Sequence, residues 1–237
     1  LFEQTSMVDV RLELLASSPA PLSQRTRVRL HVGTAEVLAR VILLDCDQLA
    51  PGEQGLAQLR LEKPLCVAWG DRFVLRRYSP ALSIGGGTVL DPHPHKHRRA
   101  DGATCKQLCS LESTDVRVVV EALLRRDEDR LCTQRQLVGT CALSTSEVGA
   151  ILAELHASGR VLLSGPSGDQ TALHADLASL WLGRIASSLA DFHAEYPLRD
   201  GLRREELRQR VRPRRRARRR TFARDPVGDV TRTDHGA

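Results

Sequence analysis

Apolar and polar residues alternate along the first third of the chain. In "VDVRLELLA", Val8, Val10, Leu12 and Leu14 fall on one side, and Asp9, Arg11 and Glu13 on the other. That is the pattern of a half-buried strand. "TRVRLHVGT" repeats it, with Val28, Leu30 and Val32 turned to a core and Arg27, Arg29 and His31 to solvent. "EVLARVILLD", "GLAQLRLEKPL", "DRFVLRRYS" and "SIGGGTVLD" supply four more strands, punctuated by turn residues such as Gly33, Pro51, Gly52, Pro64, Gly70 and Pro80. Short strands at this spacing predict a closed antiparallel β-barrel over residues 1–92.

Residues 93–112 have no useful period, and their prolines, Gly102 and mixed charge predict a linker. Beyond it the period lengthens to that of a helix. "STDVRVVVEALLRRD" predicts an amphipathic helix with Ser113 or Thr114 as N-cap, "TQRQLVGT" a short second helix, and "STSEVGAILAELHASG" a third. Ser144 and Glu147 fit a capping box, and Gly159 a helix stop. "RVLLSGPSGDQTALH" predicts a hairpin around Gly165–Asp169. Three helices and a hairpin, over 113–175, make a winged-helix module. A long helix capped by Asp176 and ending near Pro197, followed by "GLRREELRQRV", opens a second and incomplete one over 176–211. The fold class is therefore β plus α/β, a barrel followed by winged helices.

Charge adds one fact. The net +6 lies entirely in residues 212–237, an arginine-rich tail with few apolar residues that predicts disorder; the remainder is neutral. Any binding surface on the folded part must come from local patches. The six cysteines form no C-x-x-C pair and predict reduced thiols in a cytoplasmic protein. No apolar run has the length of a membrane span, no targeting segment is visible, and the leading Leu1 predicts a piece of a longer chain.

The stretch "YSPALSIGGGTVLDPHPHKHRR" offers three chemistries. A phosphate loop needs G-x-x-x-x-G-K-[ST], which is absent here and throughout. For zinc, the alternate His93, His95 and His97 followed by Cys105 and Cys109 supply no C-x-x-C pair, and the prolines stiffen the histidines, so a solvent-facing basic run with Lys96, Arg98 and Arg99 is the reading and no metal is expected. Gly85, Gly86 and Gly87 inside a strand mark a place where another backbone comes close. Asp127, Glu128 and Asp129 read as a solvated turn, and no catalytic constellation stands out. Trp69 reads as a rim residue of the barrel and Trp181 as core.

Taken together, "RVRLHVGTAEVLARVILLD", "PGEQGLAQLRLEKPL" and "GDRFVLRRYSPALSIGGGTVLDPHPHKHRR" resemble the third domain of SelB, the bacterial family of selenocysteine-specific elongation factors related to elongation factor Tu. The resemblance runs to about residue 211. It implies a monomeric partner of selenocysteyl-tRNA and the ribosome at recoded UGA codons. The barrel would hold the acceptor and T arms, and winged helices would lead to the part that grips a messenger-RNA hairpin. GTP and magnesium belong to a domain of the full-length family outside this stretch, so no cofactor and no enzymatic activity are expected of this chain. The related barrels place the last hairpin near the T stem. That implies backbone contacts from Arg77, Ser83 and Gly85–Gly87, with Arg76, Arg27, His31 and Gly33 as further candidates. The helix at 144–158 shows Glu147, Glu154 and His156 and little positive charge, which predicts a spacer or protein contact rather than the main RNA reader. The arginine-rich tail has no counterpart in the resemblance, and a shifted reading frame in GC-rich DNA would produce such a run. Two readings stand beside this one: a DNA-binding winged-helix regulator, and a non-functional gene fragment.

Overall fold

The computed structural model describes residues 3–97, 101–126 and 131–211. Arg98, Arg99, the acidic turn 127–129 and the tail 212–237 lie outside the described residues. The chain divides into two compact units, Leu1–Arg184 and Ile185–Ala237.

The alternating segments form the expected barrel. Its strands are β1 (Gln4–Leu14), β3 (Arg27–Val32), β4 (Ala35–Leu43), β6 (Gln54–Cys66), β7 (Arg72–Arg77) and β8 (Ser83–Asp91), closed in the order β1-β6-β4-β3-β7-β8 with every neighbour antiparallel. A two-residue antiparallel pair, β2 (Leu22–Ser23) with β5 (Gln48–Leu49), forms a separate small sheet. Val8, Val10, Leu12, Val28, Leu30, Leu59 and Leu75 fill the interior, the alternate phase of each strand as the pattern requires. Apolar burial of this kind is the main stabilising term for so aromatic-poor a core.

Asp9 departs from the pattern. It shares the outward phase with Arg11 and Glu13, yet it is fully buried. Residues 93–97 lie across it. His97 Nε2 meets Asp9 Oδ2 at 2.5 Å. Gln58, opposite Asp9 on β6, donates from Nε2 both to Asp9 Oδ1 (2.9 Å) and to the His95 carbonyl (2.8 Å). The histidine run is thus not a solvent-facing strip, because His97 is held against the barrel.

Residues 101–112 of the expected linker are also structured. It contains α1 (Gly102–Ser110), capped by Asp101, whose side chain accepts from Ala103 N–H. Leu108 and Leu111 join a second core with Leu44, Leu56 and Leu90 of the barrel and Val119, Val120, Leu137 and Leu152 of the winged helix. Trp69 seals that seam: its Nε1 donates to the Leu111 carbonyl (2.8 Å) and its backbone N–H to the Thr140 carbonyl (2.7 Å). Arg126 reaches back to Asp91, which also accepts from His93 N–H at 2.8 Å.

The winged helix comprises α2 (Val116–Arg125), β9 (Cys132–Thr133), α3 (Gln134–Cys141), α4 (Thr145–Ala157), β10 (Val161–Ser164) and β11 (Thr171–His174), with the three strands ordered β10-β11-β9. Asp115, not Ser113 or Thr114, caps α2, by accepting from Arg117 N–H. Thr133 and Ser144 both make full capping boxes, and Gly159 takes φ +72° just after α4, where a side chain would be strained. The long helix α5 (Ala175–Glu195) begins directly after β11, so Asp176 lies in its first turn rather than at its cap, and His174 Nδ1 accepts from Asp176 N–H. Trp181 is half-buried rather than core. In the second unit, α6 (Arg204–Val211) follows α5, and Arg210 stacks 5.5 Å from the Phe192 ring centroid.

Candidate nucleic-acid interface

The outward phase of β3 presents Arg27, Arg29 and His31 beside the β7–β8 hairpin. Arg27 grips Glu62 with two nitrogens, Nε to Oε1 at 2.9 Å and Nη2 to Oε2 at 2.7 Å. Arg29 pairs with Glu36. Both guanidiniums pack on Tyr78, 4.8 and 5.3 Å from the ring centroid. The hydrogen bond to Glu62 raises the pKa of Arg27, and the two arginines hold the Glu62 and Glu36 carboxyls below their usual range. The β3 cations are therefore largely neutralised, and they pin Tyr78 in place.

Uncompensated charge lies on the hairpin. Arg77 is exposed, and its backbone N–H closes the loop onto the Leu82 carbonyl at 2.8 Å. Arg76 donates from Nη2 to the Ala81 carbonyl (3.0 Å) and shapes the loop. Neither arginine makes an ion pair among the described residues, though Arg76 is close enough to Glu36 to help hold its carboxyl below the usual range. Ser83 is exposed where β8 begins. Arg27, Arg76, Arg77 and Ser83 thus share one end of the barrel. His31 and Gly33 do not join them. They sit at the β3–β4 turn, where Gly33 has φ +55° and His31 Nε2 lies 3.9 Å from Glu36. Along β3, Arg27 and Val32 are roughly 17 Å apart at ~3.3 Å per residue.

The three glycines have a different job from the one expected. A Cβ at Gly85 would stand 2.4 Å from the Glu13 carbonyl oxygen, at Gly86 2.6 Å from that of Phe73, and at Gly87 1.9 Å from that of Arg11. The close backbone belongs to β1 and β7, which pair with β8 on either side. The missing side chains let three strands pack tightly, and their space is not open to a phosphate.

In the winged helix, Glu147 is spent on the α4 cap and Glu154 pairs with Arg117 (2.8 Å). Histidine and cysteine make no group of three or more potential metal ligands with aspartate or glutamate among the described residues. Tyr78 is a member of the hairpin site that sequence reasoning missed. An aromatic residue next to a basic pair was its only local signal.

Two family models match the chain. The β-barrel domain of selenocysteine-specific elongation factors matches residues 9–96, and the winged helix of elongation factor SelB matches residues 186–223. The second match passes Val211 into the arginine-rich run, so the start of that run follows the family pattern. The chain is similar to proteins named selenocysteine-specific elongation factor. One from Desulfomicrobium baculatum is 31% identical over 209 residues, 84% of this chain and 31% of the relative. One from Escherichia coli is 28% identical over 194 residues, 79% of this chain and 28% of the relative. One from Haemophilus influenzae is 25% identical over 147 residues, 61% of this chain and 23% of the relative. The chain spans about a third or less of the length of these relatives.

Proposed function

We propose that this chain, which matches the β-barrel and winged-helix domains of the SelB family, is part of a selenocysteine-specific elongation factor and helps deliver selenocysteyl-tRNA to the ribosome at recoded UGA codons. The carrying observation is the match of barrel and then winged helix in chain order, with the exposed Arg77 on the barrel's β7–β8 hairpin making no ion pair among the described residues. A-form RNA is recognised through phosphates and 2′-hydroxyls, and a rigid cationic hairpin suits that task. Arg77 supplies charge to the backbone, Ser83 a hydroxyl, and Arg76 holds the loop that presents them. The winged helix next to the barrel acts as a spacer toward the messenger-binding end, since Arg117 neutralises Glu154 and α4 offers no cationic face. The chain works in the cytoplasm. No helix among the described residues is long and apolar enough to cross a membrane.

GTP chemistry belongs to a part of the relatives outside the matched span. No stretch here has the G-x-x-x-x-G-K-[ST] pattern, and no step of this reading runs through a nucleotide.

The test is anisotropy titration of the chain with selenocysteyl-tRNA and with an ordinary elongator tRNA. Tighter binding of the first is expected, and Arg77→Gln should lower the salt slope by about one contact. Equal affinity for the two tRNAs would sink the reading.

A further inference from the structure

Asp9 and Asp91 stand opposite each other on β1 and β8, both all but excluded from water. Like charges directly opposite on neighbouring strands repel, and a buried carboxylate needs a partner. Neither takes its counter-charge from the barrel. Asp91 is met by Arg126 at the end of α2. Asp9 is met by His97, with Nε2 2.5 Å from Oδ2. Residues 92–97 run between these two points as a strap. At its start His93 N–H donates to Asp91 Oδ1 (2.8 Å), and further on the His95 carbonyl accepts from Gln58 Nε2 (2.8 Å). His97 closes its far end. The groups around Asp9 and His97 decide how many protons the two hold. β8 contributes Asp91, already balanced by Arg126. β6 contributes Gln58 and Arg60, and Arg60 lies opposite Arg40 of β4. Arg25, Arg60 and Lys96 share a cleft with the His97 side chain. Asp101 at the α1 cap feels His97, but its hydrogen bonds go to Thr104 and Ala103. His93 and His95 stand on the strap itself. Two protons on the pair would set an unbalanced cation beside Arg25, Arg60 and Lys96. No proton would leave a bare carboxylate buried next to Asp91. One proton leaves the pair neutral, and burial favours the same outcome by strengthening the hold of Asp9 on a proton.

We propose that residues 92–97 are a proton-operated strap: Asp9 and His97 share one proton while the strap lies on the barrel, and loss of that proton to water lets it lift. Lifting admits water to Asp9 and Gln58 and takes Lys96 and His97 out of the cleft wall. It leaves α1 and the winged helix on their apolar core, which the strap does not enter. The direction of the pH response follows from the free groups. A free carboxyl gives up its proton near ~3.9 and a free imidazole near ~6.5. Between those values the lifted and the closed strap hold one proton each, and closure is indifferent to pH. Above ~6.5 the lifted strap sheds its proton and the closed pair keeps it, so closure weakens as pH rises, by at most about tenfold per unit. This device does not depend on what the chain binds or delivers.

The experiment is limited trypsin digestion of the whole chain between about pH 6.5 and about pH 8.5. Lys96 is exposed, and a cut after it needs the strap to lift. Mass spectrometry gives the rate of that cut. Division by the rate on a free peptide of the same sequence removes the pH response of trypsin itself. When lifting is fast compared with cleavage, the ratio tracks the lifted population. It is expected to rise about tenfold or more across the range, and no faster than about tenfold per unit. Asp9→Asn keeps a hydrogen-bonding group against His97 without an ionisable carboxyl. His97→Gln does the same from the other side, where 18% of the side chain is exposed and folding is little disturbed. Each variant should flatten the response to within about twofold. Should Asp9→Asn fail to fold, His97→Gln decides alone. A flat ratio in the native chain, or a slope kept in His97→Gln, overturns the strap. Cuts after Arg117 or Arg125, inside α2, that rise in step with the cut after Lys96 would mean that the whole unit opens, and also overturn it.

Discussion

Gly87→Ala separates the two meanings of the glycine triplet. The new Cβ would lie 1.9 Å from the Arg11 carbonyl oxygen, and real Cβ contacts keep at least 3.0 Å, so β1 must retreat by the difference, about 1.1 Å. Its other neighbour, Phe73 Cζ at 2.9 Å, leaves no room to yield toward the core. A retreat of that size takes the adjoining β1–β8 hydrogen bonds out of range. Two such bonds are worth about 2 kcal/mol, and overpacking adds ~1–3. The reduced freedom of the unfolded chain returns ~0.4–1. The net loss is about 3 kcal/mol, which at a slope of ~2 kcal/mol per molar lowers the urea midpoint by about 1.5 M. Gly183→Ala is the control. It lies in α5 with nothing near its Cβ position, and should gain ~0.5–1 kcal/mol. An unchanged midpoint for Gly87→Ala, combined with lost RNA affinity, would refute the packing argument and restore a phosphate cradle.

Three further outcomes are expected. Burial raises the Asp9 pKa above its ordinary 3.8, so the folded state holds that proton more tightly and stability is lost as pH rises from 3.8 through the raised value. The stability of Asp9→Asn relative to the native chain should therefore improve as pH rises above 3.8 in thermal scans; a decline would show that the His97 contact outweighs burial. Trp69→Phe leaves the Leu111 carbonyl without its donor and should cost ~1–2 kcal/mol, read as a lower melting temperature and faster amide exchange along the seam. With its thiol buried and its pKa pushed up to about 12, Cys141 should resist iodoacetamide in the native state while exposed Cys66 and Cys109 react; mass spectrometry that finds Cys141 alkylated first would contradict the buried placement.

The barrel was legible because its information is local: the phase of Val8, Val10, Leu12 and Leu14 is written in the alternation itself. What escaped reading is non-local. Nothing in "VDVRLELLA" separates Asp9 from Arg11. The difference arises where a segment some ninety residues later in the chain lies over one and not the other. The triplet Gly85–Gly87 announced a close backbone correctly but not whose, since that depends on register with β1 and β7. Arg40 and Arg60 look like ordinary surface residues until strand pairing sets them side by side. The segment 101–112 lacked a long period, but a short helix needs only a cap and the two apolar contacts that Leu108 and Leu111 provide.

The core shared by Leu44, Leu56, Leu90, Leu111 and Val120 has a mechanical consequence. A string of beads transmits nothing through its thread. Here the thread is itself packed, stapled by Trp69 at one point and by Arg126 on Asp91 at another. A pull on the winged helix reaches the barrel wall without slack, as through a splint. Events at one end of this unit can be felt as a tilt at the other.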